Sequence, residues 1–190
     1  MSPEARWIRF TAREFIDATH SHFRWEARMD PGKISSITVI DAYEAGHGSL
    51  VVKLGGVLPV KKISGPDVDK AEIQRYLASI AYCPTMLLNH ATLECTSVGP
   101  STLRLRDQRD PTGAIVNLEV SEDRCPLVCR AERPRLVGKK AVLTPWSGTT
   151  SEFREHDGLR IATRVEAAWR LPEGDFTYFR AEVASIEAER

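Results

Sequence analysis

The chain has 190 residues, with 26 Lys and Arg against 26 Asp and Glu, five His and four Cys. That length fits one domain burying roughly 70% of the surface its unfolded chain exposes, so folding requires neither a disulfide nor a metal. Zero net charge gives no general attraction to nucleic acid or to an anionic membrane, and the absence of an 18-residue apolar run excludes a transmembrane helix.

In chain order, the opening MSPEARWIRF lacks the apolar segment of a signal peptide. The expected location is therefore cytoplasmic, and Cys83, Cys95, Cys125 and Cys129 are expected as reduced thiols. Trp7 to Phe15 mixes aromatic and charged residues. Phe23 to Met29 reads as a strand, with Phe23, Trp25, Ala27 and Met29 on one face and Arg24, Glu26 and Arg28 on the other. Asp30-Pro31-Gly32 is a turn signal. Ile34 to Tyr43 is β-branched and strand-like. Gly46-His47-Gly48 turns the chain into a strand over Ser49–Leu54. Val57 to Ile63 follows, and its Pro59 marks an edge strand or a bulge.

One helix is predicted, near residues 69–83. Asp69 with Glu72 resembles a capping box, and Ile73, Tyr76, Leu77 and Ile80 recur at helical spacing. Pro84 is expected to end it, and Thr85-Met86-Leu87-Leu88 is too short to predict a second helix. Strands then resume over Thr92–Ser97, Thr102–Arg106, Ala114–Val120, Pro126–Glu132 and Ala141–Thr144, with a turn at Pro111-Thr112-Gly113.

The last third carries the clearest pattern. Between Leu159 and Leu171, residues Leu159, Ile161, Val165, Trp169 and Leu171 share one parity, and Arg160, Arg164, Glu166 and Arg170 the other. Asp157-Gly158 before this run is a hairpin turn. Pro172-Glu173-Gly174 after it leads into Phe176 to Ile186. A strand over Leu159–Leu171 would span about 44 Å and must coil to stay packed. The expected fold is mostly β, a single domain over residues 1–190. It is a strongly curved antiparallel sheet or open half-barrel, with the helix over the concave face.

Chemistry-bearing constellations are sparse. Cys125 and Cys129 on one strand would lie roughly 13 Å apart, too far for one zinc ion. His156 with Glu152, Glu155 and Asp157 reads as a solvated turn, and His20, His22, His47 and His90 fall in loops without a motif. Arg130, Arg133, Arg135, Lys139 and Lys140 form a basic stretch, which Glu132 and Pro134 interrupt and no aromatic platform supports. It reads as exposed strand and loop. No phosphate loop, GxSxG, HExxH or GxGxxG motif occurs, so neither a metal nor a cofactor is expected.

The segments Gln74-Arg75-Tyr76-Leu77-Ala78, Pro84-Thr85-Met86-Leu87-Leu88, Pro145-Trp146-Ser147-Gly148, Gly158-Leu159-Arg160-Ile161, Glu166 to Gly174 and Phe176-Thr177-Tyr178-Phe179-Arg180 occur in that order. In this order the chain resembles an uncharacterised bacterial family known as a domain of unknown function. The resemblance runs from Trp7-Ile8-Arg9-Phe10-Thr11-Ala12 to the end. Members often carry a further segment before the Trp7 region, which implies a short or incomplete member. Tyr82-Cys83 stands where an aromatic pair is common, and Phe179 where Trp is common. Phe23-Arg24-Trp25, followed by strands that a helix interrupts, is also similar to half-barrel lipoprotein carriers of the LolA type. That resemblance implies acyl chains held against a concave face. Those carriers are periplasmic and have a signal peptide, which this chain lacks.

Trp25, Tyr43, Tyr76, Trp146, Trp169, Phe176 and Tyr178 fall at positions expected to face inward. The first functional expectation is a binding module for a lipid-like small molecule. Trp25, Tyr76, Leu77, Met86, Leu87, Trp146 and Trp169 would line the cavity. Gln74 and Arg75 would sit at its mouth, where Arg75 would meet an anionic head group. The second is a non-catalytic interaction domain with a filled core and an exposed apolar patch or sheet edge. The third is an acid–base enzyme using Glu152, His156 or Glu166, which requires two of these groups to converge in a cleft. No nucleic-acid partner is expected, and the sequence leaves the oligomeric state open.

Overall fold

Period-two patterning and short turns produce two antiparallel meanders, separated by the helix. The structure, a computed structural model, describes residues 6–29, 36–123, 125–138 and 140–188. The first sheet contains β1 (Phe10–Ile16), β2 (Phe23–Met29), β3 (Ile37–Glu44), β4 (His47–Leu54) and β5 (Leu58–Ser64), in that spatial order. Then come α1 (Pro66–Ala78), a 3-10 turn (Ser79–Ala81) and the one-turn helix α2 (Met86–Asn89). The second sheet runs from β6 (Leu93–Gly99) through β7 (Thr102–Asp107), β8 (Val116–Val120), β9 (Pro126–Val137), β10 (Lys140–His156) and β11 (Leu159–Leu171) to β12 (Gly174–Glu182), again in chain order. Each sheet has two end strands, so neither closes into a barrel. The mostly-β, antiparallel expectation with one main helix holds. The turn expected at Asp30-Pro31-Gly32 lies outside the described residues, as does the start of the run expected from Ile34.

β2 and β11 occupy the ranges their alternation marks. Asp157 and Gly158 have φ of +49° and +79° and close the β10–β11 hairpin. These left-handed angles match the twist that a two-residue hairpin needs, which Asp-Gly adopts readily. Pro59 lies on β5, at the edge of the first sheet. The register slips there by one residue, so the edge and the bulge are both present.

Three sequence expectations are corrected. α1 starts at Pro66, not Asp69, with Gly65 at the N-cap and no side-chain cap. Asp69 instead accepts a hydrogen bond from the Gly48 N–H at 2.7 Å, and Glu72 is buried, so tertiary partners displace the capping box. The helix ends at Ala78, ahead of Pro84, where the 3-10 turn takes over. The third correction concerns β9 and β10, which run through Pro134 and Pro145 as longer strands. β8 pairs with β9 no further than Arg130, and β11 pairs with β10 from Trp146 onward. Residues 131–138 and 140–145 therefore form a two-stranded ribbon, in which each proline has a paired strand on one side only, a position where a missing N–H is tolerated.

α1 lies between the sheets and is buried almost all round: Ala71, Glu72, Ile73, Gln74, Tyr76 and Leu77 are all buried. One apolar core joins Phe23, Trp25, Ala27 and Tyr43 of the first sheet to Ile73, Tyr76 and Leu77 of α1. On the other side it reaches Leu105, Val116, Leu118, Cys129 and Trp146 of the second. Gly48 allows the close approach: a Cβ there would stand 2.5 Å from the Val68 carbonyl oxygen.

Candidate functional site

Because α1 is buried almost all round from Ala71 onward, its polar residues Glu72 and Gln74 are buried and Arg75 half-buried, and they must find partners on the sheets. Register brings those partners together. Glu14, Trp25, Asp41, Leu50 and Ile63 form one row across the five strands of the first sheet. Arg75 reaches down onto that row. Its guanidinium donates to Asp41, and to Glu14 at 3.1 Å. It lies 5.0 Å from the Trp25 ring centroid and 4.8 Å from that of Phe23. Two carboxylates and two aromatic faces thus surround one cation. Burial opposes the charge on Arg75, but Asp41 and Glu14 outweigh it and hold the guanidinium protonated.

On the opposite side of the helix, Arg133 of β9 donates to the Ala71 carbonyl at 3.1 Å. It also lies 3.7 Å from Glu72 and 5.1 Å from the Trp146 ring centroid. Gln74 donates to the carbonyls of Glu132 and Ile115 at 3.1 and 3.4 Å. Burial, reinforced by the Asp41 charge, pushes the Glu72 carboxyl up to about 8. Asp41 Oδ1 and Glu72 Oε2 are both buried without another partner. A neutral Glu72 donating to Asp41 satisfies both oxygens, since a protonated carboxyl is a donor.

Of the residues expected to line a cavity, Trp25, Tyr76, Leu77, Met86 and Trp146 come together as one packed core, with Trp169 against its border. Trp169 stacks on Tyr178 at 5.7 Å, and Trp146 Nε1 donates to the Tyr178 hydroxyl at 2.9 Å. Leu87 stands apart, 44% exposed. Gln74 and Arg75 are not at a mouth: Gln74 is 1% exposed, and the protein's own carboxylates neutralise Arg75. Two surface pockets, of about 180 and 370 Å³, lie at the Arg106–Ile115 loop and between the start of α1 and Pro111-Thr112. None of the aromatic residues lines either.

The acid–base candidates do not converge. Glu152 pairs with Arg164 at 2.9 Å, His156 lies 3.8 Å from Asp157, and Glu166 meets Arg180 at 3.4 Å, all at the surface. Glu166 therefore pairs across the β11–β12 hairpin. A Ser–His–Asp grouping that the sequence does not reveal occurs at Ser21, His90 and Asp107. Ser21 Oγ lies 3.1 Å from His90 Nε2 and donates to Asp107 at 2.5 Å. Asp107 thus holds the serine proton directly, while His90 Nδ1 faces the Thr92 N–H at 3.3 Å. A nucleophile relay needs the carboxylate on the far nitrogen of the imidazole, so this cluster ties loops together. Cys129 is buried, and burial pushes its thiol up to about 12, leaving it an inert core residue. Cys83, Cys95 and Cys125 are also free thiols. No metal-binding cluster occurs among the described residues, and no helix among them is long and apolar enough to cross a membrane.

The inner face of the first sheet continues beyond α1. Residues paired across antiparallel strands project to the same side, and positions two apart share a face. Phe10, Met29, Ile37, Leu54 and Leu58 therefore form a second row, on the side that Trp25 and Asp41 face. Val39 and Val52 lie between the two rows. This second row is apolar throughout. Phe10, Met29, Ile37, Val39 and Val52 are half-buried, while Leu54 and Leu58 are 36% and 60% exposed. Phe179 of β12 stacks on Phe10 at 5.5 Å and bounds one side.

Residues 1–181 match the family described as "Family of unknown function (DUF6544)", and the chain belongs to it. Among curated proteins none matches. Among solved structures, the crystal structure of a LolA superfamily protein from Nitrosomonas europaea is similar at 12% identity, with a TM-score of 0.36. The match covers 95% of this chain and 86% of that one.

Proposed function

We propose that this family member is a non-catalytic binding module, and that it takes a lipophilic ligand on the helix-free half of the first sheet's inner face. The supporting observation is the five-strand apolar row Phe10–Met29–Ile37–Leu54–Leu58, left half-open to water. Such a row costs solvation free energy in every unliganded molecule. An acyl chain laid across it would gain about 0.8 kcal/mol per buried methylene. The site differs from the cavity expected around Tyr76 and Trp146, because those rings are already part of the buried core.

Native mass spectrometry of freshly purified protein, followed by solvent extraction, tests this reading. The expected result is an added mass that extracts as a lipid-like species and is lost in Ile37→Asp. A bare mass with both proteins, and no binding of added fatty acid, would defeat it.

A second reading, a protein-interaction domain, has its own support in the ribbon of residues 131–138 and 140–145. Leu136, Val137, Val142 and Leu143 at its end are 51%, 47%, 47% and 58% exposed. Light scattering that shows self-association, lost in Val142→Ser with Leu143→Ser, would favour it.

A further inference from the structure

We infer that the tip of the β4–β5 hairpin docks onto an anionic phospholipid surface, its apolar turn entering the interface while the flanking lysines meet the phosphates. Nine consecutive residues, Leu54 to Lys62, are exposed. Among them Val57 is 81% exposed, Leu58 60% and Val60 57%. The tip turns through Gly55 and Gly56, at φ of +62° and +76°. β5 ends its sheet, so no further strand among the described residues pairs with it.

Charge within the hairpin has one sign. Between Ala45 and Pro66 the sequence contains Lys53, Lys61 and Lys62 and no carboxylate, in a chain whose net charge is zero. Register grades these lysines by depth. Behind the Leu54–Leu58 pair, Lys53 is one residue back, Lys61 opposite Val52 two back, and Lys62 opposite Val51 three back. At about 3.4 Å per residue those steps are roughly 3, 7 and 10 Å. Apolar faces at a bilayer interface sink about 5–10 Å. Leu54, Val57 and Leu58 would then lie among the upper acyl carbons, and the lysine stems would carry their ammonium groups to the phosphates.

A protein strand fits the same edge poorly. Pro59 removes a donor, and the bulge at Val60 breaks the ladder that an added strand would need. A bilayer requires no ladder. It accepts apolar side chains from both faces of a hairpin, and its negative surface potential matches the lysines.

Docking of the tip and ligand binding on the inner row have separate readouts, vesicle pelleting for the first and bound mass for the second. The test is co-sedimentation of the full chain with vesicles of phosphatidylcholine alone, or of phosphatidylcholine with phosphatidylglycerol at 7:3. Binding is expected to the anionic vesicles, to be at least about ten-fold weaker to the neutral ones, and to weaken with salt. Lys61→Gln with Lys62→Gln should lose about five-fold per lysine. Val57→Ser with Val60→Ser should lose about ten-fold or more, with thermal melts unchanged because both side chains are exposed. Val142→Ser with Leu143→Ser, on the other exposed hairpin, should bind as wild type does. Three outcomes overturn docking: no pelleting of wild type with anionic vesicles, pelleting that the valine pair leaves intact, or loss of pelleting in the Val142/Leu143 variant alone. Self-association abolished by the valine pair would assign the tip to a second copy of the chain and overturn docking as well.

Discussion

At one end of the first sheet, under α1, charges are drawn inward: Asp41 and Glu72 are buried, and half-buried Arg75 lies over the Trp25 and Phe23 rings and pairs with Asp41 and Glu14. At the other end, beyond the helix, apolar side chains meet water: Leu54, Val57, Leu58 and Val60. The usual assignment of charge to the outside and hydrocarbon to the inside is reversed between two ends of the same five strands. The covered end loses solvation and recovers it through paired geometry, which fixes where the helix sits. The open end has no such pairing among the described residues. The difference separates residues that hold the fold from residues available to a ligand or a surface.

The strongest way to break the covered end is Arg75→Met. It leaves buried Asp41, with Glu14 beside it, without a cation, a loss of about 3–5 kcal/mol, read as a collapse of the urea midpoint or as failure to fold. Arg75→Lys should recover part of this, because an ammonium keeps the charge without the planar fork.

The next effect is pH-dependent. Glu72 binds its proton more tightly folded than unfolded, since burial and Asp41 push it from 4.5 up to about 8. Its contribution is therefore fully present below about pH 4.5 and is lost as pH rises toward 8. The steepest slope is about 1.4 kcal/mol per pH unit for one proton. Glu72→Gln supplies a donor to Asp41 with no proton to lose, so the variant should gain on wild type steadily between pH 5 and 8. Burial lowers the His90 pKa, giving a slope of opposite sign as pH falls through 6.5. The difference between wild type and variant across a pH series of urea melts removes that contribution. Parallel curves for the two proteins would refute the neutral-acid assignment.

Gly48→Ala probes the contact that seats α1 on β4. A Cβ 2.5 Å from backbone oxygen forces the helix away, for about 1–3 kcal/mol, visible in thermal melts. The smallest expected change lies at the open end. Leu58→Ser should shift stability by less than about 0.5 kcal/mol, while weakening uptake of a fluorescent fatty acid measured by titration. A large stability loss there would mean the row is core, and would erase the contrast between the two ends.

How far the sequence is legible follows the range of the interactions involved. Alternation alone places β2 and β11, because one strand shows both its faces within a few residues. Asp157-Gly158 marks its turn through local backbone preference. Pro59 correctly signals both edge and bulge, while Pro134 and Pro145 mislead, because their tolerance depends on where neighbouring strands stop pairing. Trp25, Tyr76, Leu77, Met86 and Trp146 are legible as inward-facing, and their mutual packing is not. Arg133 read as part of an exposed basic stretch, yet it is 8% exposed against α1. Its one available signal was the helix itself, a lone element between two runs of strands that must bury its polar residues with its apolar ones.

The sequence by itself determined a mostly-β chain, the order of its strands, their faces and most of its turns. Each of these rests on periodicity or backbone preference within about ten residues. Only the tertiary structure decided that Glu14, Trp25 and Asp41 form one row, that Arg75 descends onto it, and that the next row is half-open, with Leu54 and Leu58 exposed. Those outcomes depend on strand register and on where one helix rests, and both come from contacts between residues dozens of positions apart.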